Sequence, residues 1–537
     1  MKIKLIPILA AAFFGCVSCV ELSSNVGENF LPGIQGYNMF NVELPLECIT
    51  NRMADSLSGF SQTKMAVGSI VDSDGNVVRR AAAVTIAPLR DSLDWGTDPV
   101  IKSMFMVMSI DTTSVADPRY TSILQRLNVY ELEKTYTAAN DFDCNGKGIR
   151  HKEGRITKGD PMIAGPGIIS FELSEEYASK FLTVTQADLE DSDKYFEKIP
   201  GLYFDTPDPL GEGGRINILG LQVDYASEYN SLDSNFGTLT INSTYNGERK
   251  DTSFMFYLGA NDIFNADSLI THSATGVMYP QYALNLTDEN CRRKEAGENS
   301  ETISVSGGGG LKPYVSAAWL KKAVSDAIAA EGGNPETAII NKASLILPFE
   351  FPDDYTQMFK FSEALSPTTR IKTDTSAVFV SLTDSSNETE NGGEINRSTL
   401  VFSPDFTYHM QKLLSVDDAD IANGNYDIWL LTMTTETTTI DNSNAELSQM
   451  YEELAYQSYY NSMYGGGSYG SYGYGDSYTN YYNYMMMANY AANNVSSSSA
   501  LALNLSDYFN FKINGPAFPD KTKRPKISIT FSLPEKK

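Results

Sequence analysis

The chain has 537 residues, of which 67 are acidic and 41 are lysine or arginine, so its formal net charge at pH 7 is −26. A field of that sign repels the phosphates of nucleic acid, and we therefore exclude DNA and RNA as partners. The apolar content of 42% over this length is enough for more than one buried core.

The chain begins with a basic and then apolar stretch that has the pattern of a secretory signal. Lys2 and Lys4 are followed by the run LIPILAAAFF, which is too short to cross a hydrocarbon core of roughly 30 Å as a helix. Small residues and a cysteine come next, as in a bacterial lipobox, so we expect a signal peptide over 1–18 and an acylated cysteine after the cut. Cys19 is favoured because CVS precedes it, whereas the alternative, Cys16, follows the bulkier FFG.

Acylation at Cys19 predicts a palmitate-bearing lipoprotein, with residues 19–37 as the linker to the folded body. Two or three acyl chains hold such a protein in a bilayer essentially permanently. Val20 is not the aspartate that retains lipoproteins in the inner membrane. We therefore expect the outer membrane, with the cell surface favoured over the periplasmic face.

Three further cysteines, Cys48, Cys144 and Cys291, show no metal-binding spacing. At most one disulfide can form among them, so the stability of the fold must come from buried cores.

Short alternating or β-branched runs recur along most of the chain, and turn residues separate them. Many short strands with few helical intervals predict a mainly β protein of antiparallel, sandwich-like domains with a few inserted helices. The predicted strands are 64–71, 81–86, 104–110, 127–132, 168–173, 214–223, 238–241, 254–258, 339–349, 377–382, 426–433, 500–505 and 527–533.

The segment DFDCNGKG places three oxygen-bearing side chains at positions 1, 3 and 5 of a loop that resembles an EF-hand: Asp141, Asp143 and Asn145. Position 12 is Lys152, so the bidentate carboxylate is missing. A weak calcium site and a solvated Asn-Gly turn both remain open, and we expect no other cofactor.

The clearest helix is predicted over 316–331, where Leu320, Val324 and Ile328 fall on one face, Ser316 can cap the start and Gly332 can end it. We expect this face to pack on a sheet. The flexible run SGGGG just before it suggests a division into an N-terminal β-rich domain, 38–305, and a C-terminal one, 306–537. A second helix is predicted over 445–456.

A tract rich in tyrosine, glycine, serine and asparagine occupies 456–498. Without nearby cations it cannot bind RNA, but it has the composition of a contact surface, in which tyrosine supplies large amphipathic area. The other interpretations are a disordered insertion and a self-associating segment. The candidate binding residues are Tyr469, Tyr472, Tyr474, Tyr481, Tyr482 and Tyr484.

The lipobox and the later motifs GENFLPG, DSLSGFSQTKMAVGSIVDSDG, LQRLNVYELEKTY, IINKASLILPFE and RPKISITFSL resemble a family of large Bacteroidetes outer-membrane lipoproteins. That family is classified as a domain of unknown function. The resemblance extends over almost the whole mature chain and implies an outer-membrane lipoprotein. It supplies no catalytic residue.

The sequence contains no Walker loop, no dinucleotide fingerprint and no HExxH motif, and its three histidines lie far apart. We therefore predict no catalytic residue and no enzyme activity. The leading hypothesis is a non-catalytic binding or scaffolding lipoprotein of the cell envelope, such as an accessory subunit of an assembly or transport complex, with an envelope protein as partner. The alternatives are a surface glycan-binding protein that uses exposed tyrosines and a carboxylate-dependent hydrolase.

Overall fold

The computed structural model describes residues 36–535 apart from several gaps. The gaps are 55–56, 58, 62–63, 73–74, 90–91, 137–143, 145–148, 222–224, 227–230, 233–234, 259–282, 291–296, 298, 373–376, 387–390, 442–454, 456–484, 486–494 and 505–506. The fold is mainly β, with several antiparallel sheets and few helices, as predicted. Within these residues, no helix is long and apolar enough to cross a membrane.

The strands are numbered in chain order. They are β1 (Tyr37–Pro45), β2 (Thr50–Met53), β3 (Phe60–Ser61), β4 (Lys64–Val71), β5 (Val77–Val84), β6 (Ala87–Pro88), β7 (Thr97–Ile110), β8 (Thr112–Val115), β9 (Gln125–Arg126), β10 (Asn128–Glu131), β11 (Met162–Ile163), β12 (Gly167–Glu172), β13 (Leu202–Asp205), β14 (Gly213–Gly220), β15 (Tyr225–Ala226), β16 (Ser231–Leu232), β17 (Phe236–Tyr245), β18 (Glu248–Tyr257), β19 (Ala283–Asn290), β20 (Thr302–Ser306), β21 (Leu311–Val315), β22 (Ile339–Pro348), β23 (Ala364–Lys372), β24 (Ala377–Ser381), β25 (Ile395–Asn396), β26 (Val401–Phe402), β27 (Ile428–Asp441), β28 (Val495–Leu503), β29 (Asn510–Asn514) and β30 (Lys526–Pro534).

The α-helices are α1 (Glu175–Phe181), α2 (Gln186–Leu189), α3 (Ser192–Lys198), α4 (Ala317–Ala330), α5 (Thr407–Ser415) and α6 (Asp418–Ile421). Short 3₁₀ helices occur at Pro118–Tyr120, Pro335–Thr337, Tyr355–Lys360, Thr383–Ser386 and Lys521–Lys523.

The first core joins two antiparallel sheets. One has the order β10-β13-β5-β4-β14-β8, with β19 paired to β5, and the other has the order β12-β7-β17-β18-β6. Helix α1 contributes Phe181 to the same core. Alternate residues of β7 are buried in it, as expected for a strand with one face toward the interior: Met104, Met106, Met108 and Ile110.

The second core joins the sheet β1-β30-β22-β26-β25 to the sheet β2-β21-β27-β23-β24, in which β28 also pairs with β27. The ribbon of β20 and β29 and the helices α4 and α5 add to it. Alternate residues of β30 are again buried, because one face of the strand is turned inward: Ile527, Ile529, Phe531 and Leu533.

Residues from both sides of the predicted division at 305/306 share this second core. Strand β1 pairs with β30 from Tyr37↔Pro534 to Pro45↔Lys526, and β2 pairs with β21. Ile303 and Val305 on β20 pack in the same cluster. The difference from the predicted division arises because antiparallel pairing joins segments that lie far apart in the chain, and a local glycine run does not report that pairing.

Helix α4 confirms the predicted helix and its end. Ser316 precedes it in an extended conformation but makes no side-chain cap; the cap comes from Asp427, which accepts a hydrogen bond from the Ala317 N–H at 2.9 Å. At the other end, the N–H of Gly332 bonds to Ala329 O at 2.9 Å and that of Gly333 to Ile328 O at 3.0 Å. This is a Schellman motif, and Gly332 fits it because its φ is +76°. The helix contacts α5 and α6, while α5 lies on β22.

The two cores are connected through the second face of β4. Met65 and Val67 belong to the first core, whereas Ala66 and Ile70 form a separate cluster with Tyr508. The near-continuous burial of this strand is typical of strands covered on both faces. Tyr508 therefore carries a ring from the C-terminal part of the chain into the sheet of the first core.

A candidate binding cleft

The candidate residues predicted from the sequence lie outside the described residues. This holds for the acylation candidates Cys19 and Cys16, for the calcium candidates Asp141, Asp143 and Asn145, and for the tyrosines of the 456–498 tract: Tyr469, Tyr472, Tyr474, Tyr481, Tyr482 and Tyr484. The second predicted helix, 445–456, falls there as well, apart from Ala455. These predictions stay predictions.

Cys144, within the predicted calcium loop, is described. It is fully buried and packs with Ala54, Leu57 and Leu431, and its N–H donates to Leu57 O at 2.7 Å. Across the described ranges, no group of three or more His, Cys, Asp or Glu side chains is arranged to hold a metal ion.

The two described histidines lie in separate environments. His151 stacks against both Tyr130 and Tyr203, with ring centroids 4.4 and 4.7 Å away. His409 is buried in α5, and its Nε2 lies 2.9 Å from Tyr426 O. Burial lowers the pKa of His409 to about 4, so its ring is neutral at physiological pH. Each ring thus contributes to packing in its own surroundings.

A buried carboxylate on β10 lies between two lysines. Glu131 accepts a hydrogen bond from Lys152 Nζ at 2.7 Å and another from Lys180 Nζ. Burial alone would lower the pKa of Lys152, but the hydrogen bond to Glu131 and its charge outweigh burial and raise that pKa. Through Lys180, Glu131 connects strand β10 to helix α1.

A cleft of about 660 Å³ with open polar groups lies beside the second core. We call it the aromatic cleft. It lies between the β20–β29 ribbon and the segment that follows β22, 350–361. Its lining includes Thr302, Ser304, Glu350, Phe351, Gln357, Lys360, Phe361, Phe511, Lys512 and Asn514.

The ribbon supplies the polar side of the cleft. Thr302 pairs with Asn514 and Ser304 with Lys512, so these four side chains share one face of the ribbon. The alternate residues Ile303, Val305 and Ile513 are buried in the second core. The alternation of polar and apolar residues along both strands therefore turns hydroxyl, amide and ammonium groups toward the cleft.

The segment 350–361 supplies the aromatic side. Phe361 stacks on the buried Phe511 at 4.7 Å between centroids, which fixes the inner end of the cleft. Phe351 is 49% exposed, and Tyr355 and Phe359 on the same segment are exposed as well. Of these three rings Phe351 lines the cleft, and an exposed large apolar ring beside open polar groups indicates a contact surface.

The charges around the cleft are partly compensated. The Glu350 carboxylate accepts hydrogen bonds from Lys523 Nζ at 2.9 Å and from Asn514 Nδ2 at 3.4 Å. We call the part of the chain built around the first core the first unit and the part built around the second core the second unit. Burial lowers the pKa of Lys360, while carboxylates of the first unit, Asp117 first among them, act to raise it. In the described part of the chain, the side chains of Gln357 and Lys512 make no hydrogen bond and are open to a ligand.

A second cleft, of about 460 Å³, lies at the junction of the two units. Ser114 and Thr121 line it from the first unit, and Phe359, Phe361 and Phe509 line it from the second. Phe361 borders both clefts, so the segment 350–361 forms a wall between them. The sequence signal for this wall is the run FEFPDDYTQMFKF at 349–361, which has five aromatic residues and no apolar periodicity.

Comparison of the chain with protein-family models, with curated proteins and with solved structures finds no match.

Proposed function

We propose that the protein is a non-catalytic binding component of the cell envelope, anchored in the outer membrane through an acylated Cys19, and that it binds its partner in the aromatic cleft. The observation that carries the proposal is the lining of that cleft. An exposed phenylalanine, Phe351, stands opposite hydroxyl, amide and ammonium groups of the β20–β29 ribbon. Binding sites combine apolar surface with a few orienting polar groups in this way, and the volume is within their usual range.

The attachment of β1 supports the proposed anchor. Seventeen residues, 20–36, separate this strand from Cys19, and it pairs along its whole length with β30. Phe40 stacks on Phe531 at 5.5 Å, and Val42 and Leu44 pack against the second core. A load on the lipid anchor would therefore be carried by a strand that is built into the sheet.

Labelling with palmitate tests the anchor. We expect the mature protein to incorporate the label and to sediment with the outer membrane, because the acyl chains add about 0.8 kcal/mol per buried methylene. Cys19→Ala should abolish labelling, and the matched variant Cys16→Ala should retain it. Labelling that persists in Cys19→Ala and disappears in Cys16→Ala would move the anchor to Cys16.

Crosslinking on intact cells, followed by mass spectrometry, tests the cleft. We expect crosslinks from Lys512 and Lys360 to one envelope protein, and Phe351→Ala should weaken recovery of that protein about tenfold, since a buried aromatic anchor contributes about 1–2 kcal/mol to binding. Tyr355→Ala is the matched control, because Tyr355 is 73% exposed on the same segment but does not line the cleft. Equal recovery of the partner with the wild type, Phe351→Ala and Tyr355→Ala would contradict the assignment of the aromatic cleft as the binding site.

The second candidate function is glycan binding, and the neutral polar groups of the same cleft favour it. Gln357 and Ser304 can bond sugar hydroxyls while a sugar face rests on Phe351. A polysaccharide panel distinguishes the candidates: retention that depends on Phe351 and not on Tyr355 supports a glycan, whereas no retention leaves the protein partner.

A further inference from the structure

The anchored end of the five-stranded sheet carries an apolar corner. Strand β1 starts there, β30 ends there and β22 starts there, because β30 runs antiparallel to both neighbours. Met39 aligns with Ser532 and Ser532 with Ile339, so these residues share the face turned away from the second core. Tyr37 lies two residues before Met39 on the same face. We call Tyr37, Met39 and Ile339 the anchor-side corner.

These three apolar side chains are largely exposed to solvent. Met39 is 69% exposed, Tyr37 52% and Ile339 46%. Their neighbours on the core-facing side of the same strands, such as Phe40 and Ile340, pack against the second core. From Met39 onward the exposure of β1 therefore follows its outer face, although Asn38 at the strand start is exposed as well and Ser532, between Met39 and Ile339, is buried.

The same face becomes polar with distance from the anchor. The next row contains Asn41, Thr530 and Lys342, and the row after it contains Glu43, which accepts a hydrogen bond from Lys526 Nζ at 2.9 Å. Successive rows on one face of an antiparallel sheet lie roughly 7 Å apart, so the row of Glu43 is roughly 14 Å from the row of Met39. The change from apolar to charged thus takes place over about the depth of a membrane interface.

The length of chain before β1 brings this corner to the bilayer. Seventeen residues, 20–36, join Cys19 to Tyr37, so the corner can lie at most roughly 60 Å from the acylated residue. A flexible chain of this length has a typical end-to-end distance of roughly 20–25 Å. The bilayer is therefore present at high effective concentration, and a small contact suffices to hold the corner against it.

We propose that Tyr37, Met39 and Ile339 rest in the interface of the bilayer that holds the acyl chains, so that the body of the protein is oriented and does not hang freely from its linker. This inference rests on the proposed lipid anchor. Among the described residues, Glu336 and Glu535 next to this corner are exposed and acidic, and the cation Lys342 lies one row further along the face. The contact is consequently apolar, takes place on zwitterionic lipid and is insensitive to salt.

The test uses the acylated full-length mature protein, purified from membranes and reconstituted in phosphatidylcholine–phosphatidylethanolamine vesicles. An environment-sensitive fluorophore is attached at Met39→Cys in a Cys291→Ser background; Cys48 and Cys144 are buried. Glu43→Cys is the matched control, four residues along the same face. Vesicle flotation is measured in parallel, because it reports the anchor independently of the corner.

We expect spin-labelled lipid to quench the fluorophore at residue 39 at least threefold more than at residue 43, equally at low and high salt. In a second variant, Ile339→Glu is combined with the fluorophore at residue 39. The quenching of that fluorophore should then fall toward the level measured at residue 43. Flotation with equal, weak quenching at both positions overturns the orientation but leaves the anchor standing. Failure to float overturns the anchor and this inference together.

Discussion

Replacing Tyr508 by alanine should lower the free energy of unfolding by about 3–5 kcal/mol, as for other large-to-small changes of buried aromatic residues. Tyr508 is 2% exposed and packs with Ala66, Ile70 and Ile216 of the first unit. Its N–H also donates to Ser114 Oγ at 2.8 Å. Because this ring lies between the units, its loss should separate their unfolding. In denaturant titration followed by circular dichroism, we expect one transition for the wild type and two for Tyr508→Ala.

Tyr508→Phe is the control for this prediction. It keeps the ring and removes the hydroxyl, which accepts a hydrogen bond from Asn510 Nδ2 at 2.9 Å. The expected loss is about 1 kcal/mol, with the single transition retained. If Tyr508→Ala lost no more than Tyr508→Phe, the ring would not be what joins the two units.

Acidification from pH 6.5 to about 4 should cost about 3 kcal/mol of stability through one residue, His409. Burial lowers its folded-state pKa to about 4, and the charge of Lys412 acts in the same direction. The unfolded chain, with an ordinary histidine pKa near 6.5, binds the proton more readily over this interval. The contribution of His409 is therefore fully present above about pH 6.5 and is lost progressively as the pH falls toward 4.

His409→Gln isolates this effect. Glutamine stays neutral throughout and can still donate to Tyr426 O, the atom 2.9 Å from Nε2. Asp384 accepts hydrogen bonds from the N–H groups of Tyr408 and His409, and burial raises its pKa, so it opposes the histidine on acidification. Asp384 is present in both the wild type and His409→Gln, so its contribution to the pH dependence cancels when the two are compared. Denaturant midpoints measured between pH 7 and 4 should fall more steeply for the wild type; parallel curves would contradict the prediction.

The local elements with strong periodic patterns were predictable from the sequence. The strand at Lys64–Val71 was found with its bounds, and helix α4 was found with its end at Gly332. Helix α1 was missed, although Ser174 followed by Glu175 and Glu176 is a start signal and Ser174 Oγ accepts from the Tyr177 N–H at 3.3 Å. Its seven residues are too few to show a hydrophobic face clearly.

The aromatic cleft was not predictable in the same way. Its walls come from residues near 303, 355 and 512, and only the pairing of β20 with β29 brings Ser304 beside Lys512. The run of aromatic residues at 349–361 was visible in the sequence. Whether each ring is buried like Phe349 or exposed like Phe351 depends on what covers it, and a covering residue leaves no local signal.

The sequence by itself determined the charge, the β-rich class, the amphipathic helix and the pattern of the proposed anchor, because each of these depends on residues close together in the chain. Tertiary structure decided which strands pair. It joined Tyr37 to Pro534, brought Tyr508 into the sheet of the first unit and left Met39 uncovered on its outer face. The physical reason is that antiparallel pairing and burial are contacts between distant segments, and their free energy depends on all the partners at once.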